Sequence, residues 1–368
     1  MPMREGVGSA LVPRRVGMWR ANGLGYGRAD GLDLEGDRVT GLDYTAFVSG
    51  KLATPPPTGF AVNREWGHLF DFQSDLVSWA LRRGRAAVFA NTGLGKTRMQ
   101  LTWADEVAMH SGGNVLILAP LAVAQQTADE ADSVGISAKV ARDGEQVDKS
   151  ARVWITNYDR LHRFDPGEFV GVVLDESSVI KHHDSKTLGV LLDAFKDHQY
   201  KLACTATPAP NDWVELGTHA EFLGVCSRAE MLSEFFVHDG GKTQDWRLKG
   251  HARAEFWRWV SSWGALVRHP ADLGYDAHRY DLPPLNVSDH VVPSGDAHLD
   301  AGMLFAGVEL GGLAERRRAR KATLDARVRA AASLVNESQG PWVVWCDLNA
   351  EGDALRAAIP DAVEVRGA

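Results

Sequence analysis

From about residue 69 onward, short and largely apolar runs alternate with longer segments whose apolar positions recur every three or four residues. The runs at 86–90, 114–119, 152–156, 170–174 and 200–204 are too short for buried helices and lack the in-out alternation of half-exposed strands. Such runs belong to strands covered on both faces, so with helical spacing between them they predict an α/β chain with a parallel sheet and right-handed crossovers. Beyond the fifth strand, helical patterns over about 211–268 predict a helical appendage. Leu282-Pro283-Pro284-Leu285 breaks the pattern and is the expected hinge at 282–285, because paired prolines fix an extended link. A strand at 286–292, a long helix over about 313–336 and a strand at 342–346 followed by a helix predict the opening of a second α/β unit, residues 286–368. Residues 1–42 are glycine-dense and without a period, so they are expected outside the fold. The first unit is thereby placed at 43–281, with the proline-rich stretch 54–59 as a stiff connector inside it.

Chemistry enters where the first strand ends. Ala87-Val88-Phe89-Ala90 runs directly into Asn91-Thr92-Gly93-Leu94-Gly95-Lys96-Thr97. Glycines at this spacing let backbone N–H groups turn toward a triphosphate, Lys96 can reach its β and γ phosphates, and the Thr97 hydroxyl can ligate magnesium at a helix N-terminus. ATP with Mg²⁺ is the expected ligand, held by Thr92, Gly93, Leu94, Gly95, Lys96 and Thr97. Downstream, Phe169-Val170-Gly171-Val172-Val173-Leu174 ends in Asp175-Glu176. The carboxyl edge of an open α/β sheet is where ligands bind, so Asp175 is placed to hold the metal and Glu176 to deprotonate the attacking water. Tyr200-Lys201-Leu202-Ala203-Cys204 leads into Thr205-Ala206-Thr207-Pro208, which puts the Thr205 and Thr207 hydroxyls at a strand end as γ-phosphate sensors and coupling residues. Gln73, at the start of the helix before the loop, offers the donor and acceptor that suit an adenine edge.

In this order the segments resemble the superfamily-two helicases and translocases. Gln73 corresponds to the adenine-reading glutamine and 90–97 to motif I. Ala119-Pro120-Leu121 is similar to motif Ia, Thr156-Asn157-Tyr158 to motif Ib, Asp175-Glu176-Ser177-Ser178 to motif II, and Thr205-Ala206-Thr207-Pro208 to motif III. The Gly-Leu-Gly-Lys-Thr loop, the Ser-Ser after the acid pair and Thr207-Pro208-Ala209-Pro210-Asn211-Asp212 are closest to the Swi/Snf-like branch, and phage and prophage DEAD/DEAH-box helicases resemble it too. The resemblance implies a RecA-like P-loop lobe carrying the appendage, then the start of a second RecA-like lobe. It further implies ATP-driven movement on nucleic acid, most of all double-stranded DNA, with phage replication or modification proteins as further partners. Two departures stand out. Asn91 occupies a position where this branch carries an acid, and after the motif IV-like 342–351 no segment resembles motifs V and VI. The expectation is therefore a chain that binds ATP and hydrolyses it poorly. An RNA helicase and a non-hydrolysing, nucleotide-dependent binding module remain as alternatives.

Charge and composition qualify this picture. A net charge of −8 does not favour phosphate backbone over the whole surface, so local basic clusters are the candidates. Arg247 and Lys249 precede the aromatic stretch Phe256-Trp257-Arg258-Trp259, whose tryptophans are expected mainly in the core. Arg316-Arg317-Arg318 with Arg320 and Lys321 form a second basic cluster. Gln125, Gln126, Thr156 and Asn157 are candidate sequence-blind phosphate contacts in motifs Ia and Ib. Cys204, Cys226 and Cys346 show neither metal-ligand nor disulfide spacing, and Cys204 and Cys346, on apolar strands, are expected as core thiols in a reducing cytoplasm, that of a bacterial host if the chain is phage-encoded. No export signal or membrane span is indicated.

Overall fold

The computed structural model describes residues 55–238, 246–292 and 320–365. The glycine-rich start, the proposed first-unit boundary at Asp43 and Arg316–Arg318 of the second basic cluster lie outside them. The chain divides into two compact units, residues 1–281 and 282–368.

The first unit is an α/β fold around a seven-stranded, all-parallel sheet. In chain order its main elements are α1 (Asp71–Arg83), β1 (Arg85–Ala90), α2 (Lys96–Ser111), β2 (Asn114–Ala119), α3 (Ala124–Ser133), β3 (Ala138–Val140), β4 (Val153–Asn157), β5 (Phe169–Asp175), α4 (Lys186–Phe195) and β6 (Tyr200–Thr205). Then come α5 (Leu216–Leu223), α6 (Arg228–Phe235), β7 (Phe236–His238), β8 (Trp246–Leu248), α7 (Arg253–Trp263) and β9 (Gly264–Val267). The sheet order is β3-β4-β2-β5-β6-β1-β9.

Continuous apolarity in the strands reflects two cores, one per face, because successive residues point to opposite sides. On β2, Val115 and Ile117 pack with Leu76, Leu81, Trp103 and Val107 of α1 and α2. The intervening Leu116 and Leu118 pack with Leu188 of α4, Phe222 of α5 and Trp263 of α7. Each fully buried aliphatic side chain contributes about 1.5–3 kcal/mol, so the sheet sits in the best-defended part of the molecule.

All five strands expected in this unit form, within a residue or two at each end. The short edge strands β3 and β9 were not expected. The appendage is not wholly helical: α6 leads into the antiparallel pair β7/β8, and its last residues form β9, which pairs in parallel with β1 from Ala87↔Gly264 to Ala90↔Val267. A four-residue run after a helix reads as helix in sequence, and the open edge of β1 decides otherwise.

The second unit differs from expectation. Its elements are α8 (Leu324–Asn336) and α9 (Asn349–Ala358). The helix expected over 313–336 is interrupted at Thr323, and its beginning lies outside the described residues. Neither 286–292 nor 342–346 is a strand, and Cys346, expected in a core, is exposed. A strand is defined by a ladder with a neighbour, and among the described residues no other strand lies in this unit to supply one. Cys204, by contrast, is buried in β6, and Cys226 is intermediate.

Candidate functional site

Because every strand of the sheet is parallel, all carboxyl ends share one edge. The register sets Asp175 of β5 beside Cys204 of β6, and Phe89 of β1 beside Thr205. The phosphate-type loop, the acid pair and the threonines are thus brought together although more than a hundred residues separate the first from the last.

Residues 91–95 bridge β1 and α2. Gly93 and Gly95 have φ of 83° and 76°, a left-handed backbone that disfavours any residue with a Cβ. A Cβ at Gly93 would meet nothing within 4 Å, so this part of the loop faces open space, whereas one at Gly95 would come within 2.3 Å of Gln73 Nε2. Leu94 is buried and anchors the loop in the core, and the Asn91 N–H donates to the Val267 carbonyl of β9 at 2.9 Å. Lys96 opens α2, and its Nζ donates to the Ala90 carbonyl at 3.0 Å.

Gln73 is buried, with both ends of its amide engaged: Oε1 accepts from the Phe70 N–H at 3.0 Å and Nε2 donates to the Leu94 carbonyl at 2.9 Å. It therefore ties the start of α1 to the loop. Phe70, which sequence reasoning passed over, stands 47% exposed beside it, with the Arg279 guanidinium 5.3 Å over its ring. The position of Phe70 three residues before Gln73 was visible in sequence; its exposure and the approach of Arg279, some two hundred residues away, were not.

The acid pair ends β5. Glu176 has φ 49°, in the left-handed region where a side chain costs energy, and a fixed partner holds it there. Thr205 Oγ1 donates to Glu176 Oε2 at 3.2 Å and accepts from the Thr207 N–H at 3.1 Å. Asp175 is buried, and burial followed by the nearby Glu176 charge raises its pKa, while the Gln100 amide and Lys96 oppose the shift. Gln100, buried on α2 one turn beyond Lys96, lies close enough to favour the Asp175 carboxylate but forms no hydrogen bond that meets geometric criteria. Tyr158, at the end of β4, donates to the Asp175 backbone carbonyl at 2.6 Å, and its phenol pKa is pushed well up, first by burial and then by the surrounding acids.

A buried carboxyl whose ionisation is disfavoured, an orphaned amide beside it and a lysine whose amine donates to backbone carbonyls of the loop form a set that a divalent cation with phosphates would complete, so the residues present fit Mg²⁺·ATP. A second layer surrounds the acid pair. Ser177 Oγ and His219 Nε2 are 3.1 Å apart, and both residues are buried. Burial lowers the His219 pKa to about 4. Its Nδ1 has no hydrogen-bond partner among the described residues, although the Glu215 carbonyl, which accepts from Thr218 Oγ1, lies nearby.

The nucleic-acid candidates separate. Gln125 and Gln126 are exposed on α3, Gln125 bonding Asp129. Thr156 and Asn157 are buried at the end of β4 rather than presented to solvent. Lys249 Nζ donates to the Ser233 and Glu234 carbonyls at the C-terminal end of α6, which makes it a helix-end partner. Arg247 lies in the wall of a cavity outside the sheet edge.

Comparison with known proteins follows the same outline. Residues 68–210 match the family model of the type III restriction enzyme res subunit. Over this segment, which spans the phosphate-type loop, the acid pair and the threonines, the chain is similar to that family. No curated relative matches the chain in sequence. Among solved structures, the Sulfolobus solfataricus SWI2/SNF2 ATPase core in complex with dsDNA is 21% identical over 58% of this chain and 46% of its own, with a TM-score of 0.45. The same core domain alone gives 21%, 62%, 50% and 0.43. The UvsW helicase of bacteriophage T4 gives 15%, 50%, 65% and 0.36. The chain thus spans about half the length of the SWI2/SNF2 structures it matches.

Proposed function

We propose that the first unit binds ATP·Mg²⁺ at the carboxyl edge of its sheet and by itself hydrolyses it slowly, and that in the motor to which this unit belongs hydrolysis drives movement on DNA. The observation that carries this reading is the hydrogen bond from Thr205 to Glu176, which fixes the carboxylate of the acid pair from the neighbouring strand.

In this reading Lys96 leaves the Ala90 carbonyl for the β and γ phosphates, and the backbone N–H groups around Gly93 and Gly95 take the remaining oxygens. Thr97 and Asp175 hold the metal, which when bound supplies the positive charge that offsets the triphosphate. Glu176 accepts a proton from the attacking water; Thr205, donating to Glu176 Oε2, keeps the other oxygen oriented for that transfer. Thr207 shares the Thr205 hydroxyl, so a change at the γ-phosphate passes along this segment. Gln73 retains one N–H and one lone pair beyond its two protein bonds, enough for an adenine edge, with the Phe70 ring alongside. Duplex DNA is the partner proposed, and a phage-type motor of the Swi/Snf-like branch the source, on the likeness of the 93–97 loop and of Ser177-Ser178.

The test is nucleotide binding and ATP turnover on one preparation, with and without duplex DNA. Lys96→Ala should abolish tight ATP binding because it removes the point charge facing the phosphates. Glu176→Gln should keep binding and lower turnover by roughly 100-fold or more, since only the base is lost. Unchanged turnover in Glu176→Gln would refute the assigned base. Tight binding without turnover in the unmutated protein, with DNA present, would favour a nucleotide-dependent clamp.

A further inference from the structure

On the first unit, away from the phosphate loop, Trp213, Trp246, Arg247, Arg253 and Trp257 line an open cavity of about 680 Å³, within the range of small-molecule and nucleotide sites. Tryptophans at helical spacing in α7 were expected in the core, and Trp259 and Trp263 are there, but Trp257 turns toward this cavity. Its ring meets Trp213 edge to face at 4.9 Å, which leaves the Trp213 indole supported from behind and 46% exposed. Trp246 is likewise braced, against the His238 ring at 3.7 Å. Large indoles fixed by neighbouring rings and left open on one side cost apolar exposure without filling the core, and they suit a planar ligand.

The polar wall narrows the ligand class. Arg253 makes no ion pair with a described carboxylate, and Arg247 stands on the adjacent β8. Asp212, whose carboxylate caps the Val214 N–H at 3.1 Å, places an acceptor at the same rim. Aromatic platforms, guanidinium groups and one acceptor together match a base, its phosphate and its exocyclic amine. In a paired duplex both faces of a base are stacked and its edge is taken, so an unpaired base is what fits.

Between the rim and the acid pair lie two separate polar contacts. Asn211 Nδ2 donates to Glu215 Oε1 at 2.7 Å, Glu215 neighbours His219, and His219 meets Ser177, the residue after Glu176.

We propose that this cavity receives an unpaired base and its adjoining phosphate from single-stranded DNA. The proposal rests on the reading of the first unit as a DNA-dependent ATPase, and it assigns that motor a grip on one opened strand in addition to duplex contacts.

The test is fluorescence anisotropy with a labelled single-stranded oligonucleotide, the same strand carrying abasic sites, and the matching duplex. Trp213→Ala should weaken single-strand binding by roughly five- to 100-fold, the range for one lost base-stacking platform. Trp213→Phe should restore most of it, and thermal melting should show both variants folded, as expected for a half-exposed side chain. The unmutated protein should bind the abasic strand about as weakly as Trp213→Ala binds the intact one. Arg253→Ala should lower the salt slope by about one unit. Single-strand affinity unchanged in Trp213→Ala, or an equal loss for duplex and single strand, would overturn the cavity assignment and leave the ATPase reading standing. No binding of any DNA by the unmutated protein would overturn both.

Discussion

Residues 115–119 and 342–346 are both five-residue apolar runs, each followed within a few residues by a helix, yet they end in opposite environments. In the first, Val115, Leu116, Ile117, Leu118 and Ala119 are fully buried between β4 and β5. In the second, Trp345 is 91% exposed and Val343 78%. Apolar patterning states that a segment needs cover; it does not state what covers it. For β2 the cover is six other strands with helices on both faces, while the described residues of 282–368 offer α8 and α9, which touch each other and whose buried apolar residues are Val328, Ala332 and Leu355. Polar pairs hold these two helices as well: Arg327 bonds Glu351, and Glu351 also accepts from the Asp347 and Leu348 N–H groups.

Removing side chains from each region gives the largest expected contrast. Ile117→Ala should cost about 2–5 kcal/mol, because the residue is fully enclosed by two layers and the sheet cannot collapse into the space. Chemical denaturation of the unmutated and substituted protein measures it. A loss below about 1 kcal/mol would show that the sheet relaxes far more than its packing implies.

The same contrast explains what the sequence could reveal. β1, β2, β4, β5 and β6 were legible because burial on both faces leaves an unbroken apolar signature. So were Lys96, Asp175, Glu176 and Thr205, since a parallel sheet brings strand ends to one edge whatever their spacing in the chain. β9 was not legible: Gly264-Ala265-Leu266-Val267 has no strand signature of its own and is settled by the free edge of β1. Nor were the bonds from Gln73 to Leu94, from Tyr158 to the Asp175 carbonyl or from Ser177 to His219, because side-chain pairing between distant segments depends on packing that no local pattern encodes. Lys249 shows the converse, a basic residue whose neighbours suggest phosphate and whose amine closes a helix end.

Acid titration should separate the regions by a smaller margin. His219 is held to about 4 against an ordinary 6.5, so the unfolded chain binds the extra proton first. Its contribution is fully present above pH 6.5 and declines by about 3 kcal/mol as pH falls to 4, the free energy of a shift of this size. For Glu351, burial pushes the carboxyl up, but the Leu348 N–H, the Arg327 guanidinium and the Asp347 N–H outweigh it and hold the pKa below 4.5. That contribution is intact down to about pH 4.5, over most of the His219 window, and is lost only as pH falls further, through the lowered folded value. Hydrogen exchange followed by region between pH 7 and 4 should therefore show 85–267 weakening before 324–358, and His219→Gln should flatten the first profile. Parallel weakening of both regions would contradict this assignment.

The smallest effect is expected where exposure is greatest. Trp345→Ala removes a large aromatic group, which inside a core costs about 3–5 kcal/mol. At 91% exposure the side chain has almost no packing to lose, so the change should stay within about 0.5 kcal/mol in the same denaturation measurement, and Trp345 fluorescence should be quenched readily by iodide. The comparison with Ile117→Ala then isolates cover from hydrophobicity, because the residue with more apolar surface gives the smaller loss. A cost above about 1 kcal/mol, with Trp345 protected from the quencher, would mean that 342–346 is packed in solution and that the difference between the two apolar runs is smaller than the structure makes it.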